Sequence, residues 1–175
     1  MVLVLSLNIR GLNSPNKRVR LWSLAEDKRA DFLAIQETHI CRGDEGCLRH
    51  RSYPQGYLAS KKTKHCGVAL FVRQHVPFVM REVKRDKEGH WLFINGYLET
   101  RKLTFAVVYA PDEGQDKFLL GVLEALGEFA TGDIVLLGDC NSVWDPKVDR
   151  SGGSSIGAFP KKLRSSLRNF GMHDV

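Results

Sequence analysis

Residues 90 to 111 read HWLFINGYLETRKLTFAVVYAP. Two apolar runs of strand length, 90 to 98 and 102 to 109, stand on either side of Glu99-Thr100-Arg101. A parallel partner needs a crossover of a dozen residues or more, which so short a gap cannot hold, so a purely parallel sheet is disfavoured. Outward from this pair, strand-length apolar segments recur at 2 to 9, 32 to 37, 66 to 73 and 133 to 139. Helices are predicted over 16 to 29, 114 to 129 and 160 to 170, the last entered through Pro160. Only two of the gaps between strands hold a good helix. The expected fold class is therefore α/β, a four-layer sandwich of two packed mixed β-sheets flanked by helices.

A chain of 175 residues suits one domain, 1–175, with enough apolar surface to bury a core without covalent staples. Cys41, Cys47, Cys66 and Cys140 lie at irregular spacings with no C-x-x-C pair, which argues against a zinc or redox motif and for a reducing, intracellular setting. The opening VLVLSL is short, has no basic residue before it and leads into Asn8-Ile9-Arg10, so it reads as a first strand and not a signal peptide. No apolar run approaches bilayer length, so no membrane partner is expected, and the domain is read as monomeric. Lys and Arg outnumber Asp and Glu 26 to 20, for a net charge of +6. The excess is clustered at Lys17-Arg18-x-Arg20, Lys61-Lys62-x-Lys64, Arg81 to Lys87, and Lys161-Lys162-x-Arg164 with Arg168. Such clusters are either ordinary solvated faces or the footprint of a polyanionic partner.

Four strands end on polar groups: Ser6-Leu7-Asn8-Ile9, Ile35-Gln36-Glu37-Thr38-His39, Val108-Tyr109-Ala110-Pro111 and Gly138-Asp139-Cys140-Asn141. Any one of these is ordinary turn chemistry. If all four reach one edge of the sandwich, they gather Asn8, Glu37, Tyr109, Asp139 and Asn141 in one cleft on a rigid scaffold. A carboxylate with amide and water oxygens is a poor zinc site but suits Mg2+, with Mn2+ as its substitute. Glu37 backed by Asn8 is the metal candidate. Asp139 is expected to orient or deprotonate water, Asn141 to hold a phosphoryl oxygen and Tyr109 to stabilise developing charge, as in metal-assisted phosphodiester hydrolysis.

The stretches SLNIRGLNSPNKR, AIQETHI, GVALFV, VKRDKEGHWLFINGYL, FAVVYAP, LLGDCNSVWD and DRSGG occur in the order found in the endonuclease domain of LINE-type (non-LTR) retrotransposon proteins. The chain thereby resembles the endonuclease/exonuclease/phosphatase superfamily, which also holds apurinic repair nucleases and pancreatic-type deoxyribonuclease. The resemblance implies that Asn8 and Glu37 help bind the metal, that Tyr109 contacts the scissile phosphate, and that Asp139 and Asn141 position the water and the phosphate. It implies nicking of double-stranded DNA to leave a 3′ hydroxyl, which a reverse transcriptase domain of the same natural polyprotein extends by target-primed reverse transcription, in the nucleus. His39, Arg10, Lys61, Lys62, Lys64, Trp144 and Arg150 are the residues expected to meet DNA. For His39 the alternative is a loop residue bonded to backbone.

Two departures qualify that picture. Cys140 stands where relatives often carry an aromatic or another apolar residue, and it reads as core packing at a strand end. The family's closing motifs, a strand with an aspartate and then Ser-Asp-His, have no counterpart before Val175, and His173 lacks the preceding Ser-Asp. The expectation is a domain lacking its last C-terminal strands, in which Asp139 has no histidine partner and these residues alone cleave poorly. The alternatives are a catalytically impaired DNA-binding fragment or remnant and an apurinic repair-type nuclease. A phosphatase- or sphingomyelinase-like enzyme is disfavoured by the basic clusters.

Overall fold

The computed structural model describes residues 1–142, 161–169 and 171–172, with backbone only at 161–163. The two halves of the chain make two sheets. β1 (Val4–Asn8), β2 (Phe32–Gln36), β3 (Gln55–Ala59) and β4 (Val68–Val72) form the first, in spatial order β1-β2-β4-β3. β5 (Phe78–Arg85), β6 (Trp91–Leu98), β7 (Arg101–Tyr109) and β8 (Asp133–Asp139) form the second, in order β5-β6-β7-β8. Both sheets are mixed. The parallel pairs, β1 with β2 and β7 with β8, are those joined through a long helix, α1 (Pro15–Asp27) and α2 (Gln115–Phe129). The remaining pairs are antiparallel. The helical gaps read from the sequence are thus the crossovers that parallel pairing requires.

The layers follow from which faces are apolar. β2 reads FLAIQ and β4 reads VALFV, buried along their whole lengths, because each is covered on both sides. Phe32, Ala34, Val68, Leu70 and Val72 face Leu92, Ile94, Phe105 and Val107 of the second sheet. Leu33, Ile35, Ala69 and Phe71 face Leu21, Trp22 and Ala25 of α1. On the far side, Phe93, Ala106 and Val108 pack under Leu119, Val122, Leu123 and Leu126 of α2 and Leu167 of α3 (Lys161–Asn169). Phe32 sits at the centre of the intersheet layer, 4.5 Å from Phe105 and edge-on to Phe78 at 5.6 Å between ring centroids. Truncating it to alanine is expected to cost about 3–5 kcal/mol.

Two strands lie outside the segments expected from sequence, and both are edges. β3 carries Gly56, whose missing Cβ makes room for the Phe71 ring. β5 mixes apolar and charged residues, is exposed over most of its length, and bulges between Met80 and Glu82. Edge strands need only one buried face and carry charge against further pairing, so their apolar signal is thin. Trp22 is buried in the α1 layer, whereas Trp91 is half-buried. No helix among the described residues is long and apolar enough to cross a membrane.

Candidate active site

The C-terminal ends of β1, β2, β7 and β8 meet at one edge of the sandwich, and backbone hydrogen bonds carry the ladder past them into the loops. The Ile9 amide donates to the Gln36 carbonyl, Gly11 to Glu37, Thr38 to Gly67, His39 to Cys66 and Gly67 to Gly89, all at 2.7 to 3.1 Å. On the second sheet Tyr109 donates to His90 and Ala110 to Asp139. This rim concentrates unusual backbone. Of seven non-glycine residues with positive φ among those described, Arg10, Glu37, His39, Cys66 and Asn141 lie on it. Each such conformation costs on the order of 1–3 kcal/mol outside glycine, so the surrounding bonds must hold it. Gly67, at φ +99°, is required where it stands: a Cβ there would strike the Thr38 hydroxyl.

The side chains so aimed converge across the two sheets. Asn8 Nδ2 donates to Glu37 Oε1 at 2.7 Å and to Asp139 Oδ2 at 2.9 Å, while its Oδ1 accepts the Arg10 amide. Asp139 Oδ1 accepts the Asn141 amide at 3.0 Å. Asn141 Nδ2 donates to the Ala110 carbonyl and to Asp112 Oδ1. His39 Nε2 lies 3.2 Å from Glu37 Oε2, so this histidine joins the carboxylate cluster and does not follow the reading as a residue bonded to backbone. The Tyr109 phenol is pushed above its ordinary range, first by burial, then by the Glu37 charge and a hydrogen bond to that carboxylate, which keeps it protonated as a donor. Glu37, with a side chain 16% exposed, thus meets Asn8, His39 and Tyr109 at once.

The donor set fits a hard divalent cation. An N–H group, partly positive, occupies the space between two carboxylates drawn from different sheets, the place where a cation is favoured. Among the described residues no three or more His, Cys, Asp and Glu side chains are grouped to hold a metal. A carboxylate pair with water oxygens is nonetheless an environment Mg2+ accepts, since it keeps several waters, and Asn8 would add an oxygen with its amide turned over, because Nδ2 and not Oδ1 faces the carboxylates. Sequence reasoning placed Asp139 with the water and not with the metal; the shared Asn8 nitrogen brings its carboxylate beside that of Glu37.

Other expected residues are placed less uniformly. Lys62 and Lys64 are exposed, and Lys61 is paired with Glu88 at 2.6 Å, which offsets its charge. Arg10 is exposed on the rim itself. Lys17 and Arg18, grouped with the surface clusters, are clamps: Lys17 Nζ donates to the Ile9 and Arg10 carbonyls, and Arg18 to those of Leu12 and Asn13. Arg85 likewise donates to the Leu58 carbonyl. Trp144, Arg150 and His173 lie outside the described residues. All four cysteines are free, and Cys140 packs against the α2 layer with its thiol pushed up to about 11 by burial and by Asp139. His90 and Asp112 went unassigned in the sequence. His90 stacks on Tyr109 with the rings 8° apart, and the signal for it lay in counting back across the short turn at 99 to 101.

The family model described as endonuclease/exonuclease/phosphatase matches residues 5–163. The AP endonuclease from Archaeoglobus fulgidus superposes with a TM-score of 0.71 at 15% identity, covering 97% of this chain and 70% of that one. The Xenopus laevis APE2 catalytic domain gives 0.68 at 19% identity over 95% and 67%. D. rerio TDP2, solved with a single-strand DNA product, gives 0.64 at 19% identity over 91% and 66%. The chain therefore spans about two thirds of the length of these solved chains, and at such identities the likeness is one of fold.

Proposed function

The chain belongs to the endonuclease/exonuclease/phosphatase family, and from that premise we propose that it is a divalent-metal-dependent DNA endonuclease domain of LINE type. On this reading it nicks one strand of double-stranded DNA to leave a 3′ hydroxyl, the primer for a reverse transcriptase domain of the same polyprotein, in the nucleus. The observation that carries the reading is the Asn8 amide held between Glu37 and Asp139. It gives one cleft two carboxylates, an amide and, through Glu37, a protonated phenol. The order of the family stretches along the sequence supports the retrotransposon branch.

In the proposed reaction a water oxygen bonds to phosphorus and the P–O3′ bond breaks, leaving a 5′ phosphate and an O3′ oxygen that takes a proton from solvent to become the 3′ hydroxyl. Glu37 and Asp139, with Asn8 and water, would hold Mg2+ or Mn2+, which when bound supplies positive charge against the charge gathering on the phosphoryl oxygens. Asp139, kept in place by the Asn8 and Asn141 N–H groups, orients the water and takes its proton. Asn141 spends its side-chain N–H groups on the Ala110 carbonyl and Asp112, and it would hold a phosphoryl oxygen by exchanging the longer bond, that to Asp112, for the substrate. The protonated Tyr109 hydroxyl turns its one proton from Glu37 to the phosphate when substrate is bound. Arg10, Lys62 and Lys64 meet the DNA backbone, with Lys61 joining them when released from Glu88, and His39 faces the same strand from beside Glu37.

The test is conversion of supercoiled plasmid to open circles with Mg2+, Mn2+ or EDTA, with the ends assayed by polymerase extension. Metal-dependent nicks that a polymerase extends are expected. The rate should be low, because the sequence holds no Ser-Asp-His to pair with Asp139. Glu37→Gln should abolish nicking while the far-UV circular dichroism stays unchanged. DNA binding with no metal-dependent nicking, here and in the chain extended through such a motif, would favour the alternative of an inactive DNA-binding domain. Selective cutting at abasic sites would favour a repair-type nuclease.

A further inference from the structure

His90 has no part in the reaction as written above, yet it is among the most constrained side chains of the rim. It immediately precedes β6 and lies opposite Tyr109, whose amide donates to its carbonyl, one residue beyond the pairing of Trp91 with Val108. Its backbone amide donates to Asp86 Oδ2 at 2.8 Å, which closes the turn from Asp86 to Gly89. Its ring lies parallel to that of Tyr109, 6.0 Å between centroids, and meets Phe118 edge-on at 5.5 Å. Both ring nitrogens are engaged. Nδ1 is 3.0 Å from the Tyr109 carbonyl oxygen, and Nε2 is 3.6 Å from Cys66 Sγ.

These two contacts fix where the proton sits. A carbonyl oxygen only accepts, so Nδ1 must carry the hydrogen, and neutral imidazole then presents a lone pair at Nε2. The Cys66 thiol is the donor that this lone pair meets. The order is the reverse of free histidine, whose proton prefers Nε2, so the carbonyl acceptor at Nδ1 and the thiol donor at Nε2 together hold the rarer form. Cys66 in turn is anchored to the first sheet, because its carbonyl accepts the His39 amide beside Glu37. A chain of contacts therefore runs from the Glu37 turn through Cys66 and His90 to Tyr109.

We propose that His90, kept in its Nδ1–H form by the Tyr109 carbonyl and the Cys66 thiol together, is a positioning residue that sets the Tyr109 ring against Glu37. The inference rests on the endonuclease reading for its consequence in catalysis, but the brace itself is a property of the folded chain. It matters because a phenol that must reach a phosphate oxygen tolerates little error: misplacement by about 1 Å can cost about 100-fold in rate. Nδ1–H to the backbone fixes where the tyrosine starts, and the parallel ring limits how it turns.

Two measurements test this. In the 175-residue protein labelled with 15N-histidine, long-range 1H–15N spectra at neutral pH should show His90 protonated at Nδ1 and bare at Nε2. Cys66→Ala should shift that resonance and the Tyr109 ring signals together, while those of Tyr53, Tyr57 and Tyr97 stay. His90 found as the Nε2–H form, or Tyr109 signals unmoved in Cys66→Ala, would overturn the proposal. In nicking assays, His90→Phe keeps a flat ring without the donor and should lower kcat about 10- to 100-fold with KM changed less than about twofold. His90→Asn restores an N–H toward the same carbonyl and should recover part of the loss; equal loss in both variants would sink the donor's role. A protein that never nicks would remove the endonuclease reading while the histidine spectra still decide the brace.

Discussion

Replacing Asn8 by alanine should weaken the protein before it touches DNA. The amide lies between Glu37 Oε1 and Asp139 Oδ2 at 2.7 and 2.9 Å, which sets those oxygens about 5 Å apart. Without the amide, two like charges about 5 Å apart repel by about 3 kcal/mol at an effective dielectric of about 20 and by about 1 kcal/mol in water. Asn8 is exposed while Glu37 and Asp139 are partly buried, so the repulsion falls between these two figures. The two charge-assisted bonds that disappear are likewise solvent-weakened, and the total comes to about 1–3 kcal/mol. Urea unfolding in EDTA at neutral pH reads this directly. Added Mg2+ should restore more stability to Asn8→Ala than to the parent protein, since a bound cation neutralises the carboxylate pair. Equal unfolding midpoints for the two proteins in EDTA, with equal m-values, would refute the bridging role and with it the electrostatic basis for a cation there.

Gly67→Ala should destabilise by more than about 1 kcal/mol and lower Mg2+ affinity, because φ +99° and the Thr38 hydroxyl both oppose a Cβ beside the Glu37 turn; calorimetric titration beside thermal melting separates the two effects. At pH 8 iodoacetamide should label exposed Cys47 first and spare Cys140, whose thiol, pushed up to about 11, is ionised in roughly one molecule in a thousand. Peptide mass mapping checks the order, and labelling of Cys140 should rise steeply toward pH 11. Duplex affinity should fall with salt, and Lys62→Ala with Lys64→Ala should flatten the log-log slope by about 2, at about 0.9 for each phosphate left without its lysine. An unchanged slope by fluorescence anisotropy would assign both lysines to an ordinary solvated face.

What could be read from the sequence depended on how much burial each segment carries. β2 and β4 are covered on both sides and announce themselves as unbroken apolar runs, and the β6–β7 pair is fixed by its short turn. β3 and β5 are edges with one face to satisfy, and their composition resembles loop. The site was legible where a polar residue interrupts an apolar strand end, which is how Asn8, Glu37, Tyr109, Asp139 and Asn141 were found. Charge clusters were less informative, because a lysine that clamps two carbonyls, as Lys17 does, has the same signature as one in solvent. His90 shows the opposite failure. Its partner follows from register alone, but nothing in its own neighbourhood marks a histidine that braces a tyrosine.

The division of labour between the sheets has a consequence for how the protein can be taken apart. Each sheet comes from one continuous half of the chain, β1 to β4 and then β5 to β8, and the join between Val72 and Phe78 is short. Asn8, Glu37 and His39 belong to the first half and Tyr109, Asp139 and Asn141 to the second, so neither half holds a site. A nick in the backbone near Gln74 would leave two fragments able to form their own strand pairings. They would regain the Asn8 to Asp139 hydrogen bond only when the two faces dock through Phe32, Phe78 and Phe105. Complementation of such fragments would turn cation binding into a reporter of sheet docking, sensitive to a slip between layers that leaves every strand intact.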